Sequence, residues 1–159
     1  MKLYFLRHAE AIEKIPGMED KDRPLTSFGA ATMSNLAKFL KGDSSGLDTV
    51  LTSPLLRAIQ TADIVANTFG CKDRVSASEN LLVGTPPEVL LDELKSYKSS
   101  KSILLVGHQP HIGIVISFLT GVKESDMNIS KGSCALVEIE DLKTGSGRLV
   151  WIKDAQDLK

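Results

Sequence analysis

The chain predicts an α/β fold, a three-layer α/β/α sandwich with a mostly parallel central sheet. Three observations predict it. Strand-like apolar runs alternate along the chain with helical periodicities. Three of those runs break directly into turns that carry Arg7-His8, Arg57 or His108, as strands do at the edge of a layered sheet. With 159 residues, of which 42% are hydrophobic, the chain suits one domain, spanning 1–159, with a core of its own.

The elements follow in order. Residues 2–7 read as the first strand. Residues 11–24 are polar and broken by Pro16, Gly17 and Pro24, so they form a loop. Thr26 caps a helix in which Ala30, Met33, Ala37 and Leu40 recur at helical spacing, and Gly42 ends it. A second strand runs from Asp48 to Thr52. Ser53-Pro54 then reads as a hydroxyl N-cap followed by proline in the first helical position. Leu55, Ala58, Ile59, Ala62, Ala66 and Phe69 make one stripe, which Gly70 stops. A short strand follows near Arg74–Ala77, and Thr85-Pro86-Pro87-Glu88 reads as a capping box for a helix through Tyr97. Ser102 to Val106 is a buried strand, and Pro110 opens a helix with Ile112, Val115, Ile116 and Leu119 on one face. Cys134–Glu140 and Arg148–Ile152 flank Thr144-Gly145-Ser146-Gly147 as a terminal hairpin.

Bulk properties narrow the function. The net charge of −1 gives no support for nucleic acid or an anionic membrane as a partner. No apolar run approaches a membrane span, and the first residues lack the pattern of a signal peptide. Cys71 and Cys134 do not form a metal motif, and the expectation is a cytoplasmic protein with free thiols.

The residues at the strand ends carry the chemistry. Ligands of open α/β sheets bind beyond the carboxyl ends of the strands. Arg7, His8 and His108 sit at such ends, and Arg57 lies one turn into the helix after the second strand. Arginine forks supply several charge-assisted donors to a phosphoryl group in fixed geometry. A neutral imidazole attacks phosphorus to give a phosphohistidine, and neighbouring cations disfavour its protonated form. His8 is assigned as the nucleophile because it follows the strand at once and is flanked by Arg7. A protonated second histidine neutralises charge on the phosphoryl oxygens, water releases the phosphate, and no metal or other cofactor is called for.

Four blocks resemble the histidine phosphatase (phosphoglycerate mutase-like) superfamily: Leu6-Arg7-His8-Ala9-Glu10, Leu25-Thr26-Ser27-Phe28-Gly29, Thr52-Ser53-Pro54-Leu55-Leu56-Arg57-Ala58-Ile59-Gln60-Thr61-Ala62 and Val106-Gly107-His108-Gln109-Pro110. They stand in the family's order and cover the chain to about residue 120. The resemblance implies a phosphoglycerate mutase-like fold, His8 as phospho-acceptor, and a phosphate pocket of Arg7, Arg57 and His108. The short chain, the segment Asp22-Arg23-Pro24-Leu25-Thr26 and the lack of room for a large cap insertion resemble the SixA-type phosphohistidine phosphatases. That branch implies an open site acting on phosphohistidine of a phosphotransfer or phosphorelay protein, with Arg23 reaching the phosphate. Ser53 reads first as the N-cap of its helix and second as a phosphate ligand. Ala9 replaces the usual glycine. Larger relatives use a glutamate as proton donor, and Glu79 is the candidate for it, with Glu88 assigned to capping. His111 reads as a surface residue or a support for His108. The alternatives are a small-molecule phosphomonoesterase acting on a sugar phosphate or nucleotide, which would need Glu79, and a non-catalytic phosphate-binding module.

Overall fold

A computed structural model describes residues 1–158. Its centre is a six-stranded sheet built from β1 (Lys2–Arg7), β2 (Thr49–Thr52), β3 (Val75–Ala77), β4 (Ser102–Gly107), β5 (Ser133–Ile139) and β6 (Gly147–Asp154), in the order β3-β2-β4-β1-β5-β6. The first four strands in that order are parallel to one another, and β5 and β6 close one edge as an antiparallel pair.

Why the inner strands are apolar throughout is clear from what covers them. Tyr4 and Leu6 of β1 face one core, with Leu104 and Val106 of β4. That core is filled by Met33, Leu36, Ala37 and Leu40 of α1 (Ser27–Asp43) and by Ala58, Ala62, Val65 and Ala66 of α2 (Leu56–Phe69). Leu3 and Phe5 face the other core with Ile103 and Leu105. There they meet Leu90, Leu91 and Leu94 of α3 (Pro87–Leu94) and Ile112, Val115, Ile116 and Leu119 of α4 (His111–Thr120). Successive strand residues point to opposite faces, and both faces are covered by helices, so both parities must be apolar. The expected three-layer α/β/α sandwich is therefore the observed one. The segment between α2 and β4 holds only β3, short 3₁₀ turns and α3.

Local details depart from expectation at the helix ends: α1 runs past Gly42 to Asp43, and α3 stops at Leu94, with a 3₁₀ turn over Lys95–Tyr97. Ser53 does not cap α2: the helix starts at Leu56, its N-cap is Leu55, and no side chain caps it. The capping box at Thr85 does not form either. α3 has Pro86 as N-cap and Pro87 in its first turn, so the fixed proline dihedrals start the helix and Glu88 lies two positions inside it. Thr26 does cap α1, its Oγ1 accepting from Gly29 N at 2.9 Å.

Register places the site. Arg7 pairs with Gly107, and Thr52 pairs with Val106. His8, Ser53 and His108 are thus each the first residue beyond the end of adjacent strands. His8 N donates to Gly107 O at 3.1 Å and Ser53 N donates to Val106 O at 2.9 Å, which extends the ladder by one step and fixes all three backbones. The 11–24 loop leaves from the same end. Its neck is closed by an Ala11–Leu25 bridge and by Ile12 N donating to Pro24 O at 2.9 Å, and its tip forms a single 3₁₀ turn at Asp20–Asp22.

Candidate active site

Arg7, His8, Arg57 and His108 converge on a cleft of about 380 Å³ at the carboxyl ends of β1, β2 and β4. Asp20, Leu55, Leu82, Val83 and Gln109 complete its lining. The two imidazoles lie 5.1 Å apart, centroid to centroid, and both are nearly buried.

The ring of His8 is oriented from both sides. Its Nδ1 lies 2.7 Å from the carbonyl oxygen of Ala9. A carbonyl only accepts, so Nδ1 carries the proton and Nε2 carries the lone pair. Arg57 Nε donates to that lone pair at 3.3 Å. The backbone that supplies the Ala9 carbonyl is itself anchored: Ala9 N donates to Thr61 Oγ1 at 3.2 Å, and Thr61 Oγ1 donates to Arg57 O at 2.7 Å. Thr61 therefore links the first strand's turn to α2. One helical turn separates it from Arg57, and the quoted second-helix block contains it, but nothing in the sequence alone assigns it that task.

Gly29 explains another part of the pattern. A Cβ there would lie 2.3 Å from Glu10 O, so only glycine lets α1 pack against the strand-to-loop turn that follows His8. Thr26 N donates to the same Glu10 carbonyl at 3.0 Å.

Electrostatics favour neutral imidazoles. The pKa of His8 is pushed down to about 3, above all by burial, with smaller contributions from His108, Arg57 and Arg7 acting against the bond to Ala9. The sequence suggested the neighbouring cations as the cause; burial outweighs them because taking an imidazolium out of water is the larger cost. The pKa of His108 is pushed down to about 4 by burial and then by Arg57, and the charge of Asp20 opposes this. Arg7 is lowered by burial. Arg7 Nη1 donates to Ile129 O at 2.9 Å, while its Nε has no partner.

The remaining candidates are not among the residues that line the cleft. Ser53 is fully buried and does not line the cleft. Its Oγ lies 2.6 Å from His108 Nε2 and accepts from Leu55 N at 3.3 Å, so its hydroxyl orients the second histidine. Arg23 is also outside the lining: its Nε donates to Asp20 Oδ1 at 2.9 Å and its Nη1 to Ile12 O at 3.0 Å. Glu79 is exposed on the 3₁₀ turn Glu79–Leu81; its carbonyl accepts from N of the lining residue Leu82 at 3.0 Å, but Glu79 itself does not line the cleft. His111 is buried behind the site, where burial lowers its pKa.

The acidic residue that does line the cleft is Asp20, which the sequence did not single out among Glu19, Asp20 and Asp22. Arg57 Nη2 donates to Asp20 Oδ2 at 3.1 Å and Arg57 Nη1 to Asp20 O at 2.9 Å. Partial burial acts to raise the Asp20 pKa, but the bonds and charges of Arg57 and Arg23 hold it below the ordinary carboxylate value.

Chemically, the cleft brings together a positioned neutral imidazole with a lone pair, two guanidiniums and a second imidazole. Comparison with known proteins shows what the chain as a whole is similar to. A family model described as histidine phosphatase superfamily (branch 1) matches residues 3–81. An uncharacterised protein of a Picosynechococcus strain is 34% identical over 119 residues, covering 71% of this chain and 69% of that protein. Phosphohistidine phosphatase SixA of Escherichia coli is 28% identical over 165 residues, covering 100% of this chain and 97% of that protein. Among solved structures, the protein histidine phosphatase SixA complexed with tungstate superimposes with a TM-score of 0.89 at 25% identity, covering 100% of both chains.

Proposed function

The chain belongs to the histidine phosphatase superfamily, and we propose that within it this protein removes phosphoryl groups from phosphohistidine on a partner protein. The observation that carries the proposal is the state of His8: a buried, neutral ring whose Nδ1 proton is held by Ala9 and whose Nε2 lone pair meets the cationic cleft.

The steps follow from that geometry. A substrate phosphoryl group enters with its oxygens toward Arg7 and Arg57. His8 Nε2 attacks phosphorus as the P–N bond to the substrate imidazole breaks, and the departing ring takes a proton from solvent. Phospho-His8 retains its Nδ1 proton, so it is a phosphoimidazolium and leaves as a neutral ring when water attacks. The water's oxygen bonds to phosphorus, the Nε2–P bond breaks, and the water's protons remain on the released phosphate or pass to solvent. The dianionic phosphoryl group opposes the burial effect on His108, and a proton gained there then stabilises the transition-state charge. Ser53 orients this ring.

Support for a protein substrate comes from the open cleft, whose rim of Leu55, Leu82 and Val83 carries no cap insertion, and from the likeness to SixA over the whole chain. Support for oxyanion binding comes from the tungstate held by the structural relative. We read the chain as one domain. Both cysteines are unpaired and buried, which fits the reducing cytoplasm, and among the described residues no helix is long and apolar enough to cross a membrane.

The test is to incubate the protein with a phosphohistidine-bearing phosphotransfer protein and, in parallel, with an aryl phosphate and a panel of sugar phosphates. Faster loss of the protein phosphohistidine, abolished by His8→Ala, is the expected result. Rapid turnover of one ester with the phosphoprotein untouched would instead identify a small-molecule phosphomonoesterase.

A further inference from the structure

Arg57 presents most of its guanidinium to groups already in the protein. Nε is on His8, Nη1 is on the Asp20 carbonyl and Nη2 is on the Asp20 carboxylate. The other carboxylate oxygen of Asp20 is held by Arg23 Nε at 2.9 Å. One carboxylate thus bridges two guanidiniums beside the nucleophile, in the manner of two oxygens of a phosphoryl group. No other acid lines this cleft among the described residues.

We propose that Asp20 is a resident competitor for the phosphoryl group: substrate binds by replacing its carboxylate on Arg57 and Arg23, and this exchange sets the oxyanion affinity of the site. The inference rests on reading the cleft as a phosphoryl site.

Three observations support replacement over a fixed structural role. The side chain of Arg57 is only 8% exposed, so it needs a counter-charge at all times, whereas that of Asp20 is 55% exposed and returns to water at small cost. The loop does not depend on the carboxylate for its closure. Its neck is held by the Ala11–Leu25 bridge, by Ile12 N on Pro24 O, by Arg23 Nη1 on Ile12 O and by Leu25 N on Gln60 Oε1. The tip at Asp20–Asp22 can therefore move while the neck stays shut. Finally, Asp20 carries one negative charge where a phosphoryl group brings up to two, so Coulomb attraction to the two arginines favours the exchange.

The exchange has a further consequence. Arg57 Nε now donates to the lone pair that His8 uses for attack. A phosphoryl group that draws the guanidinium toward its own oxygens also releases that lone pair, so arrival of substrate arms the nucleophile.

The experiment measures tungstate binding by calorimetry to the wild-type protein, Asp20→Asn and Arg57→Ala, together with trypsin cleavage within residues 12–24. Asparagine keeps the size of the side chain and removes its charge, and an exposed position tolerates it. Asp20→Asn should bind tungstate about three- to tenfold more tightly than wild type, the range expected from loss of a partly exposed ion pair, and Arg57→Ala should lose binding. Tungstate should speed cleavage in the wild-type loop, and Asp20→Asn should be cleaved faster without it. Equal or weaker binding by Asp20→Asn, with wild-type binding intact, overturns the inference and shows Asp20 to be a positioning residue, leaving the site reading in place. Absence of binding by both proteins overturns the inference and the site reading together.

Discussion

Acidification from pH 7.5 to pH 5 should remove a large part of this protein's stability. His8 and His108 titrate at about 3 and about 4 in the folded chain, against an ordinary value of 6.5. The unfolded chain therefore binds protons below pH 6.5 that the folded chain refuses, and unfolding becomes easier as pH falls. The contribution is complete above pH 6.5, declines as pH drops below it, and levels off only near the folded values. At pH 5 each ring accounts for about 2 kcal/mol, so the pair accounts for about 4 kcal/mol. That is a substantial share of the ~5–15 kcal/mol that holds a typical domain together.

Carboxylates do not confuse this window. Asp20 and Asp48 are held below their ordinary value of 3.8, so the stability they add is lost as pH falls below that value. The assay is urea denaturation followed by circular dichroism from pH 7.5 to 5, where a loss of about 4 kcal/mol lowers the midpoint by about 2 M for a slope near 2 kcal/mol per molar. The double variant His8→Gln/His108→Gln is the control, and its residual slope belongs to His111, which burial also lowers. A flat profile for the wild type, or an equally steep one for the double variant, would refute the claim that these rings are buried neutral.

Other consequences are equally direct. Gly29→Ala places a methyl group about 1 Å inside ordinary contact distance of the Glu10 carbonyl, so it should cost about 1–3 kcal/mol and lower Tm by about 5 °C in a calorimetric scan; an unchanged Tm would mean that α1 does not abut Glu10. Ser53→Ala removes the hydroxyl on His108 Nε2 and should lower kcat on an aryl phosphate about tenfold while leaving tungstate affinity within about twofold; a kcat near wild type would show that the ring needs no such support. Glu79→Gln should leave turnover within about twofold, because the side chain is exposed and outside the cleft; a hundredfold loss would restore it as the proton donor.

The architecture was legible because the features that determine it are short-range. Apolar runs of strand length, helical stripes and a Thr26 cap are local, and the strand ends carrying Arg7-His8 and His108 fall at the same edge once β1 and β4 pair in parallel. The loop acid was not legible. Glu19, Asp20 and Asp22 are equivalent as letters, and only the 3₁₀ turn at Asp20–Asp22, docked against α2, selects the one that meets Arg57. The role of Ser53 is hidden for a related reason: a serine before a proline has the form of a cap, but α2 starts three residues later and leaves the hydroxyl for His108.

The cause of the neutral His8 is the feature least legible in the sequence, and it ties function to stability. Neighbouring arginines are visible in a sequence, whereas the degree to which a ring is withdrawn from water is a property of the whole fold. Burial supplies most of the pKa depression here, so the lone pair that attacks phosphorus exists at the expense of acid stability. Any variant that opens the pocket to water should move both quantities together, raising the pKa of His8 while flattening the loss of stability at low pH. Thr61 is the place to look. Its hydroxyl joins Ala9 N to Arg57 O across 3.2 Å and 2.7 Å, so Thr61→Val should loosen the turn that buries His8 without removing any charge from the cleft. Proton NMR titration of the His8 ring should then show a pKa above that of the wild type, and an unmoved pKa would locate the cause of its depression elsewhere than in this turn.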